Sequence, residues 1–427
     1  MSAPAPASTL GVLRRNPRFV RLWGAQVVSM AGDWLNRMAL LVLIGELGGA
    51  DAQLGVGLLY GLEMALHLLP TALFGSLAGP VADRVPRRLV MVLADLLRAG
   101  VVLGYLVVDE PGELPLLYAL LFTQMGLSIF FESARSAALP SLVARGDIHA
   151  AHALSAATWS TMLALGAALG GLFTEAFGTD AVFFGDAATY VVSALLLLGL
   201  RMPAPPKLAT PFRWVDIATF ADMRRGLEHV RAQGVLPAVL AKTFWWPAGG
   251  YLTLLSVAGK LRFGPLEGAA IATSTLYAAR GLGTGLGPIL ARRRWGSSDA
   301  SLRFQIGLGF ACAAVFYALF GWQHELWIAA VCVFAAHMGG STIWVASTAL
   351  WQTHVHDAFR GRVHALDFSS MTLAFSAGGI ATGLFYDATG SLELVAGVLS
   401  ACLLASLALW WRWSARADVA RRVAEHG

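Results

Sequence analysis

Gly79-Pro80-Val81-Ala82-Asp83-Arg84-Val85-Pro86-Arg87-Arg88 stands between two long apolar stretches. A Gly suits the start of a tight turn. One carboxylate among three guanidiniums can dock on a neighbouring helix terminus or arginine and be released again. A charged latch of this kind can hold one of two arrangements of the elements around it.

The rest of the chain is as poor in charge as this stretch is rich. Charged residues make up 13% of the 427 positions against 57% hydrophobic ones, about half the usual charged share. No soluble core of this size hides so much apolar surface, whereas a bilayer does. Spans of about 20 apolar residues are expected near 19–46, 53–79, 88–108, 114–136, 150–176 and 180–200. A second set is expected near 236–259, 266–290, 303–322, 326–350, 362–386 and 392–412. The fold class expected is thus an all-α membrane protein of twelve transmembrane helices in two six-helix bundles.

Most of the 31 lysines and arginines lie in segments that share one side of such a model. They include Arg14 and Arg15, Arg84 to Arg88, Arg135 and Arg145, Arg224 and Arg225, Arg292 to Arg294, Arg360 and Arg362, and Arg416. Only Lys260 and Arg262 fall in loops of the other side. Cytoplasmic loops carry the excess of cations, so both termini are expected in the cytoplasm, with a bacterial inner membrane as the setting. The basic balance is a topology signal and argues against nucleic acid as a partner. The first eighteen residues carry no apolar stretch and are expected to form a flexible tail rather than a signal peptide.

Domain boundaries follow: a tail over 1–18, a six-helix bundle over 19–200, a polar linker over 201–235, a second bundle over 236–413 and a tail over 414–427. Pro203, Pro205 and Pro206 end the sixth span. Phe220, Met223, Leu227 and Val230 recur at helical spacing, which predicts a short amphipathic helix along the cytoplasmic surface. The halves echo one another. Gly171-Leu172-Phe173 with Glu175, Ala176 and Gly178 recurs 212 residues later as Gly383-Leu384-Phe385 with Asp387, Ala388 and Gly390. Parallel repeats with a site between them suit a rocking transporter.

The stretch 79–88, read as G-x-x-x-D-R-x-x-R-R, resembles the signature loop of the major facilitator superfamily, with Pro86 where that family usually has Gly. The loop from Gly287-Pro288 to Arg292, Arg293 and Arg294 resembles its degenerate second copy and lacks the acid. Three further stretches resemble the macrolide-efflux and enterobactin-exporter-like branch of drug:proton antiporters. They are Gly32 to Arg37, Ala134-Arg135-Ser136-Ala137 with Pro140, and Arg360 to Val363. The resemblance implies a cytoplasmic gate formed by Gly79, Asp83, Arg84, Arg87, Arg88 and Arg135. It departs from other drug/proton antiporters in having no Arg within the fourth span and no Pro in the fifth, so proton antiport rests on analogy.

Ionisable groups at membrane depth face a cavity or a partner. Gln26, Ser29, Asp33, Asn36 and Arg37 form a polar stripe on the first span and are expected to line a central cavity. Asp33 and Arg37, four apart, are placed to pair. Tyr60, Glu63 and His67 share a face of the second span, and Glu63 ranks after Asp33 as a proton-coupling candidate. Asp95, Arg98, Gln124, Ser128 and Glu132 suggest a structural or gating network, and Asp186 has no evident partner. In the second half Lys242, Tyr277, Arg280 and Asp367 are cavity candidates. Lys242 and Arg280 are suited either to an anionic substrate or to first-half acids. The double Trp at 245–246 before Pro247 marks a helix break.

The glycines at 281, 283, 285 and 287 follow no strand and precede no Lys-Ser/Thr, so no nucleotide site is expected. Nor is an enzyme, a cofactor or a metal. The expected activity is secondary export of a small amphipathic solute (drug, macrolide or siderophore class) by a monomer in the bilayer, with protons as coupling ion. A lysophospholipid translocator is the alternative on the same fold, and a non-transporting sensor or scaffold is the alternative from another class.

Overall fold

The computed structural model describes residues 9–48, 54–202 and 220–426. Every regular element among them is helical. A short helix α1 (Thr9–Arg15) occupies part of the expected tail and leads into α2 (Pro17–Leu47). Then come α3 (Val56–Arg84), α4 (Arg87–Leu103), α5 (Leu114–Leu142) and α6 (Ile148–Leu198). The linker helix α7 (Phe220–Ala232) precedes α8 (Leu236–Phe244), α9 (Pro247–Ala258) and α10 (Gly264–Glu267). The chain ends in α11 (Ala269–Trp295), α12 (Asp299–Gly321), α13 (Leu326–His354), α14 (Asp357–Thr389) and α15 (Leu392–His426).

Nine stretches among the described residues are long and apolar enough to cross a bilayer. One of them contains α6, whose 51 residues would measure about 77 Å if straight, more than twice a bilayer core. It folds back at Gly178, where φ is 80°, a conformation that favours glycine. The return is visible in its neighbours: Gly166 packs on Trp34, and Asp186 and Thr189 pack beside Gly32 of the same helix. α6 therefore supplies the fifth and sixth spans. The seventh is α8 and α9 in series, broken at Trp245 and Trp246 before Pro247 as the sequence predicts. The eighth, α11, is long enough but carries Arg280 and three arginines at its end, which dilute its hydropathy.

The signature stretch folds otherwise than expected. α3 runs on through Gly79 to Arg84, so Gly79 is a helix residue and not the start of a turn. The turn is Val85–Pro86. Val85 is extended at φ −95°, ψ 142°, as the residue before a proline must be, and Pro86 caps α4. The prolines at 203, 205 and 206 lie outside the described residues. α7 forms where periodicity placed it, but it docks on α14: Gly226 abuts Arg362, and His229 stacks on Phe359 with ring centroids 4.2 Å apart. α15 continues as helix through the stretch expected to be a tail.

The two halves meet along α3 with α14 and α6 with α11, through small residues. A Cβ on Gly57 would lie 2.4 Å from the Gly383 carbonyl, and one on Gly61 2.7 Å from the Gly379 carbonyl. Gly171 is held as closely against Ser274, and Gly281 against Ala164. Such close approach is how helices pack in lipid. It does not extend along all of α3: Gly75 and Gly79 recur on the same face, and neither has anything within 4 Å of its Cβ position. Between α3 and α14 the close packing thus lies at the end away from the termini, and the Gly75 and Gly79 positions nearer the terminal end are open.

Candidate functional site

A cavity of about 490 Å³ opens within the first half, a size that suits a drug-like molecule. Its wall takes Gln26, Asp33, Trp34, Asn36 and Arg37 from α2, His67 from α3, Arg98 from α4, Gln124, Glu132 and Arg135 from α5, and His152 and Trp159 from α6. The polar stripe of the first span is therefore in the cavity wall. Tyr60, Glu63, Lys242, Tyr277, Arg280 and Asp367 are not.

The expected pairing of Asp33 with Arg37 does not form. They share a helix but their side chains diverge. Asp33 accepts a hydrogen bond from the Tyr190 hydroxyl and lies 3.7 Å from Arg98. Arg37 reaches α3 instead, 3.2 Å from Glu63, with His67 Nε2 at 3.3 Å and the Trp34 ring at 5.8 Å. Its longer chain spans the gap between helices that an aspartate cannot. Glu63 is thus the partner of an arginine, buried behind the wall.

Around Asp33 runs one connected network over four helices. Tyr105 donates to Gln124 at 2.7 Å, and the Gln124 amide donates to Tyr190 at 3.0 Å. Arg98 bonds Asp95, which also accepts from Ser193 at 2.6 Å. The Arg98 guanidinium lies over the rings of Tyr190 (4.4 Å) and Phe131 (4.8 Å). Asp186, without evident partner in the sequence, accepts from Thr189 at 3.2 Å, while its Oδ2 has no donor. Asp33 and Asp95 thus share one guanidinium. Sequence reasoning missed Tyr105 and Tyr190, whose signal was a tyrosine facing inward from an otherwise apolar span. Asp186 and Tyr190, four apart on one face, are the readable trace.

The gate candidates separate into two places. Arg87 donates to the carbonyls of Ala82 (3.3 Å) and Ala137 (2.8 Å), and Arg88 to those of Leu198 and Leu200. Arg84 donates to the Pro80 carbonyl at 3.4 Å. These bonds fasten the signature turn to helices of its own half. Asp83 is exposed, 3.9 Å from Arg87. Arg135 lies apart from it, in the cavity wall, where it pairs with Glu132 and donates to Gln26 (3.0 Å) and Ser155 (3.3 Å).

In the second half Lys242 does not meet first-half acids; it is ion-paired with Asp367 of its own half. Both are buried, with the Trp351 indole N–H 3.3 Å from the same carboxylate and the Trp344 ring under the ammonium at 5.0 Å. Burial so complete favours a side chain that finds its partner nearby. Trp245 is packed on Gly340 and edge-on to Phe375 and does not reach the cavity. Tyr277 contributes its ring to the junction of the halves, 5.5 Å from Arg37 and 5.7 Å from Arg280.

Comparison with known proteins agrees with this architecture. The family model described as Major Facilitator Superfamily matches residues 22–335. Macrolide efflux protein A of Streptococcus pyogenes is 24% identical over 90% of this chain and 94% of its own length. An uncharacterized MFS-type transporter, YkuC, of Bacillus subtilis is 23% identical over 85% of this chain and 84% of its own. A putative bacilysin exporter of Bacillus amyloliquefaciens is 30% identical over 51% of this chain and 52% of its own. Among solved structures, the nucleoside transporter NupG matches with a TM-score of 0.69 at 13% identity, covering 93% of this chain and 98% of that one. A bacterial homologue of the lysosomal transporter Spinster, solved in an inward-facing and unoccupied conformation, matches at 0.68 and 15%, covering 93% and 95%.

Proposed function

Because the chain belongs to the Major Facilitator Superfamily of membrane transporters, we propose that it exports small amphipathic molecules of the drug, macrolide or siderophore class by alternating access, driven by protons. The observation that carries this reading is Asp33. It is a carboxylate at mid-span in the wall of the cavity, held by a tyrosine hydroxyl and an arginine that already serves a second acid. A guanidinium shared among acids in a low-dielectric wall satisfies them incompletely. A proton taken up by Asp33 relieves that shortage and frees Arg98 to bond Asp95 alone.

The parted end of α3 and α14 gives the cavity its route to the side that bears the termini, which loop charge assigns to the cytoplasm. Closure there would dock the Asp83 turn on the second half and open the far end. The names of two relatives, an efflux protein and a putative exporter, support outward transport.

Reconstitution in proteoliposomes with an imposed pH gradient, against a panel of drugs, siderophores and lysolipids, tests the reading. Uptake into the acidic lumen of vesicles holding inverted protein is the expected result. Transport indifferent to the gradient would overturn proton coupling. A second reading, a lysophospholipid translocator, draws on an apolar groove of about 370 Å³ between α6 and α11, lined by Leu172, Ile271 and Leu282. Activity only toward lipids presented within the bilayer would favour it.

A further inference from the structure

At the junction of the halves two guanidiniums lie against one tyrosine ring. Arg37 of the first half and Arg280 of the second lie 5.5 and 5.7 Å from the centre of the same Tyr277 ring. Glu63 lies 3.2 Å from Arg37 and takes its hydrogen bond on Oε2, and no ion pair joins it to Arg280 among the described residues. The other polar groups around Arg280 are uncharged acceptors or donors already in use. Tyr277 lies near Ser256, and the Tyr317 hydroxyl bonds His337, whose Nδ1 is also 3.2 Å from the Val333 carbonyl. The Nε and Nη1 of Arg280, and the Nε of Arg37, are buried without a hydrogen-bond partner. A guanidinium is a fixed fork of donors that matches a carboxylate or phosphate in a bidentate manner. Buried donors left empty are costly, and a native structure keeps them for a reason.

We propose that Arg280, together with Arg37, binds an anionic group (a carboxylate, sulfonate or phosphate) carried by the transported molecule. Arg37 stands in the cavity wall and Arg280 lies outside that wall, at the same Tyr277 ring, so a head group that passes Arg37 from the cavity would meet Arg280 of the opposite half. Contact with both halves at once is what couples occupancy of a site to their relative movement. The inference deepens the export reading by naming a charge on the substrate, and it rests on that reading only for the word substrate.

The test is equilibrium dialysis of the full-length protein in phosphatidylcholine nanodiscs with naphthoate and, separately, with naphthamide, its uncharged isostere. The wild type is expected to bind naphthoate at least ~10-fold more tightly, the discrimination a charge-assisted hydrogen bond supplies. Arg280→Gln is expected to erase the difference by weakening naphthoate binding. Among the described residues no carboxylate lies within ion-pair distance of Arg280, so that variant breaks no ion pair. Arg280→Lys, which keeps the charge without the fork, is expected to retain part of the preference and covers any loss of folding in the glutamine variant. Equal binding of both probes by the wild type, or a preference that survives in Arg280→Gln, overturns the proposal. A repeat in phosphatidylglycerol nanodiscs separates two sources of the anion. Unchanged naphthoate affinity assigns the site to aqueous solutes, and competition assigns it to a lipid head group. Export of an uncharged drug in proteoliposomes would survive failure of this test, so the two readings fail separately.

Discussion

The Asp387 carboxylate, at the end of α14, accepts hydrogen bonds from the backbone N–H groups of Gly57 (2.7 Å) and Leu58 (2.8 Å) at the start of α3. A carboxylate on the orphan donors at a helix N-terminus is a favourable arrangement, and here it crosses from one half of the molecule to the other. Its counterpart in the repeat, Glu175, brings its carboxylate close to Gly268 at the start of α11. The echo between the halves is therefore expressed as two acids at the far ends of the two inter-half seams.

Removing the first of these is expected to loosen the closed end. Loss of a side-chain cap costs about 0.5–2 kcal/mol, which shifts a two-state population by roughly 2- to 30-fold. Asp387→Ala should therefore raise the fraction of molecules with a long distance between spin labels at Leu54 and Ser391, measured by pulsed electron–electron resonance. An unchanged distance distribution would mean that glycine packing alone holds this end shut.

Asp33 and Glu63 predict different failures. Asp33 faces the cavity and hydrogen-bonds Tyr190, and asparagine keeps an oxygen there for that bond. Asp33→Asn should reach the membrane in normal amount, lose gradient-driven transport, and lose the pH dependence of the residual exchange. Glu63→Gln should instead reduce the amount of folded protein. It strips Arg37 of its acid beside a second arginine, and breaking a buried pair costs about 3–5 kcal/mol. Fluorescence-detected size exclusion separates the two outcomes, since Glu63→Gln with a normal profile would return Glu63 to the list of proton carriers.

Hydropathy made the spans legible because lipid demands apolar length whatever the neighbours are. α11 was legible too, although its arginines lower its hydropathy, because loop charge required a span there. Partner choice was not legible. Asp33 and Arg37 satisfy the helical spacing for a pair, yet each is drawn away by groups on other helices, Tyr190 for one and Glu63 for the other. Lys242 found Asp367, 125 positions away in sequence, which no local pattern encodes. Gly79 shows the converse error. Glycine permits a turn without requiring one, and the proline at 86 fixed the turn seven residues later.

The Lys242–Asp367 pair predicts strong non-additivity. Replacing either partner alone leaves the other charged and buried, at a cost of about 3–5 kcal/mol, whereas replacing both with apolar residues of similar volume is often neutral. Lys242→Met and Asp367→Leu should each lower the melting temperature in detergent by several degrees, and the double variant should recover most of the loss. If the double variant is stable and still transports, the pair serves structure. A stable double variant without transport would instead give these residues a part in the cycle.

Gly61 and Gly75 share a face of α3 but lie at opposite ends of the seam, and they allow alternating access to be tested with one type of substitution. A Cβ at Gly61 meets the Gly379 carbonyl at 2.7 Å, and that contact is backbone, which cannot rotate aside. Gly61→Val should therefore spread the closed end, shift the same spin-label distances outward and lower thermal stability by about 1–3 kcal/mol, the usual cost of overpacking. At Gly75 the Cβ position is open, so Gly75→Val should leave the stability and shape of this conformation unchanged. If the halves rock, α3 and α14 must approach at that end in the opposite state, and the valine then stands where glycine is needed. Gly75→Val is expected to bind solute with near-normal affinity from the terminal side and to transport it at least ~10-fold more slowly, a barrier of about 1.4 kcal/mol. Normal transport by Gly75→Val would mean that the seam does not close at this level, and that solute leaves by another route.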